Sequence, residues 1–233
     1  MKLINKFKSP NYNNRSVPNI KYIIIHYTAL ENTTEALSYL CNPIKKVSCH
    51  FLISQRGIIY NLVNEKKRAW HAGKSFWLEE KDLNSISIGI ELVNKGHMFG
   101  YQNFSKKQIK SLIQLCKNLK NKYAIKKENF LGHSDIAPLR KSDPGEKFPW
   151  QKLSTFKLGK WFKRENFVKK SKLKKKEVLF FKNLKKLGYR YFRVNKRSTM
   201  DRKIIKSFQQ HYLPQNVTGK IDQLTYKISH FLS

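Results

Sequence analysis

The run Tyr22-Ile23-Ile24-Ile25-His26-Tyr27 constrains the fold of this chain more than any other segment. Side chains branched at Cβ are stiff and favour extended backbone, and an unbroken apolar stretch this short reads as a strand buried in a core. Its apolar part stops at an imidazole, and strand ends are where active sites gather. Thr33-Thr34-Glu35 then opens a short helix, Ala36 to Leu40, which stops by Pro43. Two strand signals follow, His50 to Ser54 and Ile58 to Val63, joined by Gln55-Arg56-Gly57 as a hairpin. A further strand, Ser87 to Val93, contains Gly89 and sets Glu91 between Ile90 and Leu92, where a carboxylate needs a reason. After Phe104-Ser105, the spacing of Ile109, Leu112, Ile113, Leu115, Cys116 and Leu119 predicts an amphipathic helix that packs on the sheet. A last strand, Asn129 to Gly132, feeds a loop from His133 to Trp150 with three prolines, and loops this long in compact domains usually carry function.

The 233 residues suffice for one domain of roughly 150 residues and a smaller one. Three helical patterns near the end, Val178 to Leu187, Met200 to Tyr212 and Gln223 to Leu232, predict a small three-helix unit. The expected division is therefore 1–163, a basic linker over 164–176, and 177–233. The net charge of +33 attracts polyanions and is uneven: residues 1–150 hold 25 basic and 11 acidic side chains, and 151–233 hold 23 and 4. A spread of lysines on a solvated surface would give the same balance. No apolar run approaches the roughly 20 residues of a membrane span. The start, Met-Lys-Leu-Ile-Asn-Lys-Phe-Lys, lacks the apolar core of a signal peptide, which sets a cytoplasmic location as the expectation. Cys41, Cys49 and Cys116 fit buried thiols better than a disulfide framework.

His26 ends a strand, His133 opens the proline-rich loop, and Asp143 follows ten residues later. Two imidazoles and a carboxylate from separate elements, with a fourth position left to water, are what a catalytic Zn²⁺ requires, although a histidine after a strand is commonly just a hydrogen-bonded core residue. His50, His71 and Asp135 compete as ligands, and spacing does not choose among them.

Four segments in order carry a resemblance: residues 23–29 (Ile-Ile-Ile-His-Tyr-Thr-Ala), 68–73 (Arg-Ala-Trp-His-Ala-Gly), Asn84 with 87–92 (Ser-Ile-Gly-Ile-Glu-Leu), and 132–145 (Gly-His-Ser-Asp-Ile-Ala-Pro through Asp-Pro-Gly). Over about residues 9–150 the chain resembles the zinc-dependent N-acetylmuramoyl-L-alanine amidases of the type-2 group, related to T7 lysozyme and the peptidoglycan recognition proteins. Its Ser9-Pro10 start and helical end are more similar to the two-domain AmiD-like enzymes than to the single-domain AmpD-like ones. The resemblance implies an α/β fold, a mixed central sheet flanked by helices, and hydrolysis of the bond between N-acetylmuramic acid and L-alanine in peptidoglycan or muropeptides. It implies one Zn²⁺ per chain on His26, His133 and Asp143, Glu91 as general base and Lys141 as oxyanion partner. Arg68, Trp70, His71 and Arg140 are expected to line the substrate groove; Asp135 would orient a ligand or the loop.

The pattern Leu184-x-x-Leu187-Gly188-Tyr189, Phe208-Gln209, Thr218-Gly219-x-Ile221-Asp222 is similar to a three-helix peptidoglycan-binding domain, which would tether the enzyme to the wall. Such a domain favours a periplasmic or secreted location, against the expectation from the start of the chain. Two rivals remain. A non-catalytic receptor of the same fold usually loses a zinc ligand, whereas all three positions here are ligand-competent. A nucleic-acid-binding protein is suggested by charge alone, without a recognition motif. The sequence sets no oligomeric state.

Overall fold

The computed structural model describes residues 3–162 and 176–233; the expected basic linker lies outside them except for Lys176. The main sheet comprises β1 (Leu3–Ile4), β3 (Tyr22–Tyr27), β4 (Phe51–Ile53), β5 (Ile59–Asn61), β7 (Ser87–Leu92) and β8 (Phe130–Gly132), in the order β1-β5-β4-β7-β3-β8. The β4–β5 hairpin is antiparallel and the remaining pairs are parallel, so the sheet is mixed. Its turn closes at Gly57, whose φ of +79° is a conformation that favours glycine. A separate antiparallel ribbon joins β2 (Tyr12–Asn14) to β6 (Lys67–Ala69).

Helices lie on both faces. The predicted amphipathic helix is α3, Lys106–Tyr123, capped by Ser105 accepting from the Gln108 N–H. Its stripe from Ile109 to Leu119 packs on Ile23, Ile25, Ile53, Ile88 and Ile90, one face of the strands. Gln108 is buried there, and its amide donates to the carbonyls of Ile53, the last residue of β4, and Val93, the residue after β7. Elsewhere, α1 (Thr33–Leu40) packs with Leu52 and Val93.

The opposite face of β3 is covered differently. Tyr22, Ile24 and Leu131 share one cluster with Leu83 and Ile86 of α2 (Leu83–Ile86) and Ile136 of the single-turn α4 (His133–Ile136). The same cluster continues into Phe180, Leu184, Tyr189, Ile204 and Phe208 of the C-terminal unit. That unit contains α6 (Lys176–Leu187), α7 (Asp201–Tyr212) and α8 (Gln223–Leu232), and follows α5 (Trp150–Thr155) in the chain. The expected three helices are present, and their core is continuous with that of the sheet. Cys49 and Cys116 are buried, Cys41 is partly buried, and all three are free thiols. No helix among the described residues is long and apolar enough to cross a membrane.

Gly89, inside β7, has a packing reason. A Cβ there would lie 2.3 Å from Cγ of His71, so the imidazole rests directly on the strand backbone. Gly89→Ala should therefore lower stability by on the order of 3 kcal/mol through overpacking. A urea unfolding midpoint equal to that of the parent would show that the ring has room to move aside.

Candidate metal centre

His26 stands near the carboxyl end of β3, and His133 follows β8 directly as the first residue of α4. Because β3 and β8 are parallel neighbours, with Ile25 opposite Gly132, the two imidazoles emerge side by side. Asp143 reaches them from the proline-rich loop, whose return is tied by the Ser134 N–H donating to the Asp143 carbonyl at 2.8 Å. The side chains converge closely: His26 Nδ1 lies 2.9 Å from His133 Nδ1, and each is 3.1 Å from Asp143 Oδ2. All three residues are buried, and they form a group able to hold a metal ion.

The outer nitrogens show which atoms carry lone pairs. His133 Nε2 is 3.0 Å from the Ala72 carbonyl, which only accepts, and 3.2 Å from an Arg140 nitrogen, which only donates. Arg140 donates more closely to that same carbonyl, and with the carbonyl as the nearer partner of Nε2 the proton is placed on Nε2 and Nδ1 faces the cluster bare. Behind His26 runs a longer relay. The Ser87 hydroxyl donates to the Leu83 carbonyl at 2.5 Å and accepts from His71 Nε2 at 3.2 Å. His71 Nδ1 is then the acceptor for His26 Nε2 at 3.0 Å, leaving His26 Nδ1 without a proton. Burial, and then the facing His133, lower the His26 pKa to about 4; burial, followed by the neighbouring histidines, holds His71 well below the ordinary range. Burial pushes the Asp143 carboxyl up, but its contacts with His133 and His26 win and hold it well below the usual carboxylate range.

Two imidazole lone pairs and a carboxylate oxygen thus face one another with nothing but acceptors among them, which calls for a positive charge at their centre. A tetrahedral Zn²⁺ spaces its nitrogen and oxygen ligands about 3.3 Å apart, close to the separations found, and this donor set suits zinc. The residues present fit that ion.

Glu91 is the register partner of His26 across the β3–β7 pair and so projects from the same face of the sheet. It is buried, and its Oε2 has no hydrogen-bond partner among the described residues. Burial, with the negative charge of Asp143, pushes its carboxyl up to about 8, while Lys141 pulls it back. Lys141 is exposed, and its charge acts on both Glu91 and His26.

The four expected groove residues separate into two pairs. His71 is buried beneath His26, and Arg140 reaches behind His133, donating to the carbonyls of Ala72 and Lys74. Arg68 instead donates to Asp82 at 2.8 Å and Ser85 at 3.1 Å, while Trp70, just past β6, donates to Asn13 on the facing strand at 3.0 Å. His50 lies outside the ligand cluster, donating to the Lys67 carbonyl and accepting from the Gly89 N–H. The rim of the site adds residues that the sequence does not single out. Tyr27 Oη lies 2.8 Å from His97 Nδ1 and 3.1 Å from Ser142 Oγ, His97 Nε2 is 3.0 Å from Glu146, and Tyr101 donates to the Pro144 carbonyl at 2.6 Å. These polar pairs join segments 43 to 115 residues apart, and no local pattern marks them.

Comparison with known proteins agrees with this architecture. The N-acetylmuramoyl-L-alanine amidase family profile (Amidase_2) matches residues 15–146. N-acetylmuramoyl-L-alanine amidase AmiD of Escherichia coli is 36% identical over 231 residues, covering 92% of this chain and 83% of that protein. The 1,6-anhydro-N-acetylmuramyl-L-alanine amidase AmpD of Haemophilus influenzae is 33% identical, covering 65% of this chain and 91% of its own. Among solved structures, E. coli AmiD in complex with the substrate anhydro-N-acetylmuramic acid-L-Ala-D-gamma-Glu-L-Lys superposes with a TM-score of 0.81 at 33% identity, over 93% of this chain and 90% of that one. AmpDh3 of Pseudomonas aeruginosa also gives 0.81, at 31% identity and 91% coverage of both chains. With the fold, the order of its motifs and a match through most of its length all in agreement, this chain belongs to the N-acetylmuramoyl-L-alanine amidase family.

Proposed function

We propose that His26, His133 and Asp143 hold one zinc ion per chain, and that Glu91 and Lys141 act beside it on the amide joining N-acetylmuramic acid to L-alanine. The observation that carries this reading is the convergence of three buried acceptor atoms within 3.1 Å, with Glu91 in register beside them. The activity itself, hydrolysis of that amide in peptidoglycan or in muropeptides cut from it, is the activity of the family.

Bound there, zinc would supply a Lewis acid for the lactyl carbonyl and lower the pKa of water toward neutrality. The protein's own groups then divide the remaining work. Glu91 takes a proton from the attacking water as its oxygen bonds to the carbonyl carbon. It returns that proton to the alanine nitrogen as the carbon–nitrogen bond breaks, leaving a lactyl carboxylate and a free stem peptide. Its elevated pKa suits an acid and base that must change state near neutral pH. Lys141 brings positive charge to the carbonyl oxygen as that oxygen becomes negative. His71, reached through Ser87, orients His26, and Arg140 supports the Ala72 carbonyl that orients His133. Arg68 and Trp70 are left as groove residues on the β2–β6 side. We read residues 1–163 as the catalytic unit and 177–233 as a helical unit suited to wall contact, a reading supported by the similarity of its sequence pattern to peptidoglycan-binding domains.

Elemental analysis of the purified protein should find about one zinc per chain. His133→Ala should lose both metal and turnover; a full zinc complement in that variant would remove His133 from the ligand set. Glu91→Gln keeps the side chain's size and removes the base, so turnover should fall by on the order of 10²-fold or more while zinc stays bound. Unchanged turnover at matched zinc content would assign the proton transfer to another group.

A further inference from the structure

We infer that the C-terminal helices form part of the metal centre's support, with Tyr189 and His211 holding the Asp135 carboxylate as positioning residues for the segment that carries His133. The inference rests on the zinc reading above and extends it to residues 54 and 76 positions beyond Asp135 in the chain.

Asp135 is two residues past His133 on the same helical turn and is 1% exposed. Its Oδ1 accepts from the Tyr189 hydroxyl at 2.5 Å, and its Oδ2 accepts from His211 Nδ1 at 2.7 Å. Oδ2 also accepts from the Gly132 N–H at 2.7 Å, and that amide belongs to the residue directly before His133. A displacement of the carboxylate is therefore a displacement of the backbone that aims the imidazole. A second tie runs in parallel. The Ser207 hydroxyl of α7 donates to the Ser134 carbonyl at 2.8 Å, and the Ser134 N–H holds the Asp143 carbonyl at 2.8 Å. One residue of the metal loop thus receives α7 on its carbonyl and the third ligand on its amide.

Adhesion alone does not account for this arrangement. The shared apolar cluster already joins the helices to the sheet, and a buried carboxylate is costly to desolvate unless donors surround it. What three donors at fixed directions add is orientation. The surroundings of His211 suit that role. Its ring lies flat on Trp150 at 4.0 Å, and its Nε2 has no hydrogen-bond partner among the described residues. Among the described residues, the Asp135 carboxylate is its hydrogen-bond partner.

The test uses full-length protein stripped of metal and titrated with Zn²⁺ against a chromophoric chelator, with the visible spectrum of the Co²⁺-substituted form as a second readout. The variants are Tyr189→Phe, His211→Phe and His211→Asn. The two Phe variants keep ring packing and remove a donor, so zinc affinity should fall about 10-fold and the cobalt spectrum should change. His211→Asn offers an amide donor near the lost Nδ1 and should recover much of the affinity. Thermal melts of the metal-free proteins separate this from loss of fold. Affinity and spectrum equal to the parent's in Tyr189→Phe, even with a lower melting temperature, would overturn the inference and leave the network as adhesion only. If His211→Phe fails to fold, Tyr189→Phe, which removes a single hydroxyl, decides. Absence of zinc binding by the parent, or parent-like binding by His133→Ala, would instead overturn the zinc reading, and the inference with it.

Discussion

Three acceptor atoms drawn to within 3.1 Å of one another inside a buried site repel, and that repulsion governs the surrounding structure. The cluster persists only if each group is prevented from turning its lone pair elsewhere. His133 is pinned by the Ala72 carbonyl, His26 by His71, and Asp143 by the Ser134 amide acting on its own backbone. The relay behind His26 explains why Ser87 and His71, polar side chains at almost no exposure, lie against the sheet. Each uses its donor to fix the next group, ending at a backbone carbonyl that accepts without returning a proton.

Strand register does the rest of the positioning. In a parallel pair, residues in register project from the same face, so the His26–Glu91 pairing places the imidazole and the carboxyl side by side whatever the loops do. One register position earlier along the face, Ile24 pairs with Gly89, and the missing side chain of Gly89 is the space into which His71 fits. The alternate residues of the same strands, Ile23, Ile25, Ile88 and Ile90, pack against α3. A one-residue slip between β3 and β7 would carry Glu91 out of register with His26, which is why a well-packed apolar face on the far side also serves the chemistry.

Legibility in the sequence followed the range of the interaction. β3, α1, α3 and the β4–β5 hairpin were readable because their signals are local: β-branched runs, a helical apolar stripe, a glycine at a tight turn. The β2–β6 ribbon was not, since Tyr12-Asn13-Asn14 and Lys67-Arg68-Ala69 alternate nothing and are held by pairing with each other. Within the proline-rich loop, α4 is a single turn, too short for periodicity to reveal. The grouping of His26, His133 and Asp143, open on spacing alone, became readable only through the order of whole motifs. The contacts of His71 and Arg140 depend on which atoms face them across 7 to 68 residues of chain, information that no local spacing carries.

The C-terminal helices show the same limit at larger scale. As a sequence they resemble a separate wall-binding domain, and three-helix periodicity says nothing about what their outer faces touch. In the fold, Tyr22, Ile24, Trp77 and Leu131 of the sheet side are buried in the cluster that contains Phe180, Leu184 and Phe208. Gly188, at the end of α6, brings its backbone so close to Trp77 that a Cβ would lie 2.4 Å from the indole, and its carbonyl accepts from the Leu78 N–H. The face of β3 that holds His26 is thus completed by helices that begin about 150 residues later in the chain. A sheet face left uncovered exposes its apolar residues to water, and here that same face carries His26 and Glu91 of the candidate metal centre. Burial of the sheet and alignment of the site are therefore met by one set of contacts, which couples the stability of the helical unit to the geometry of the chemistry.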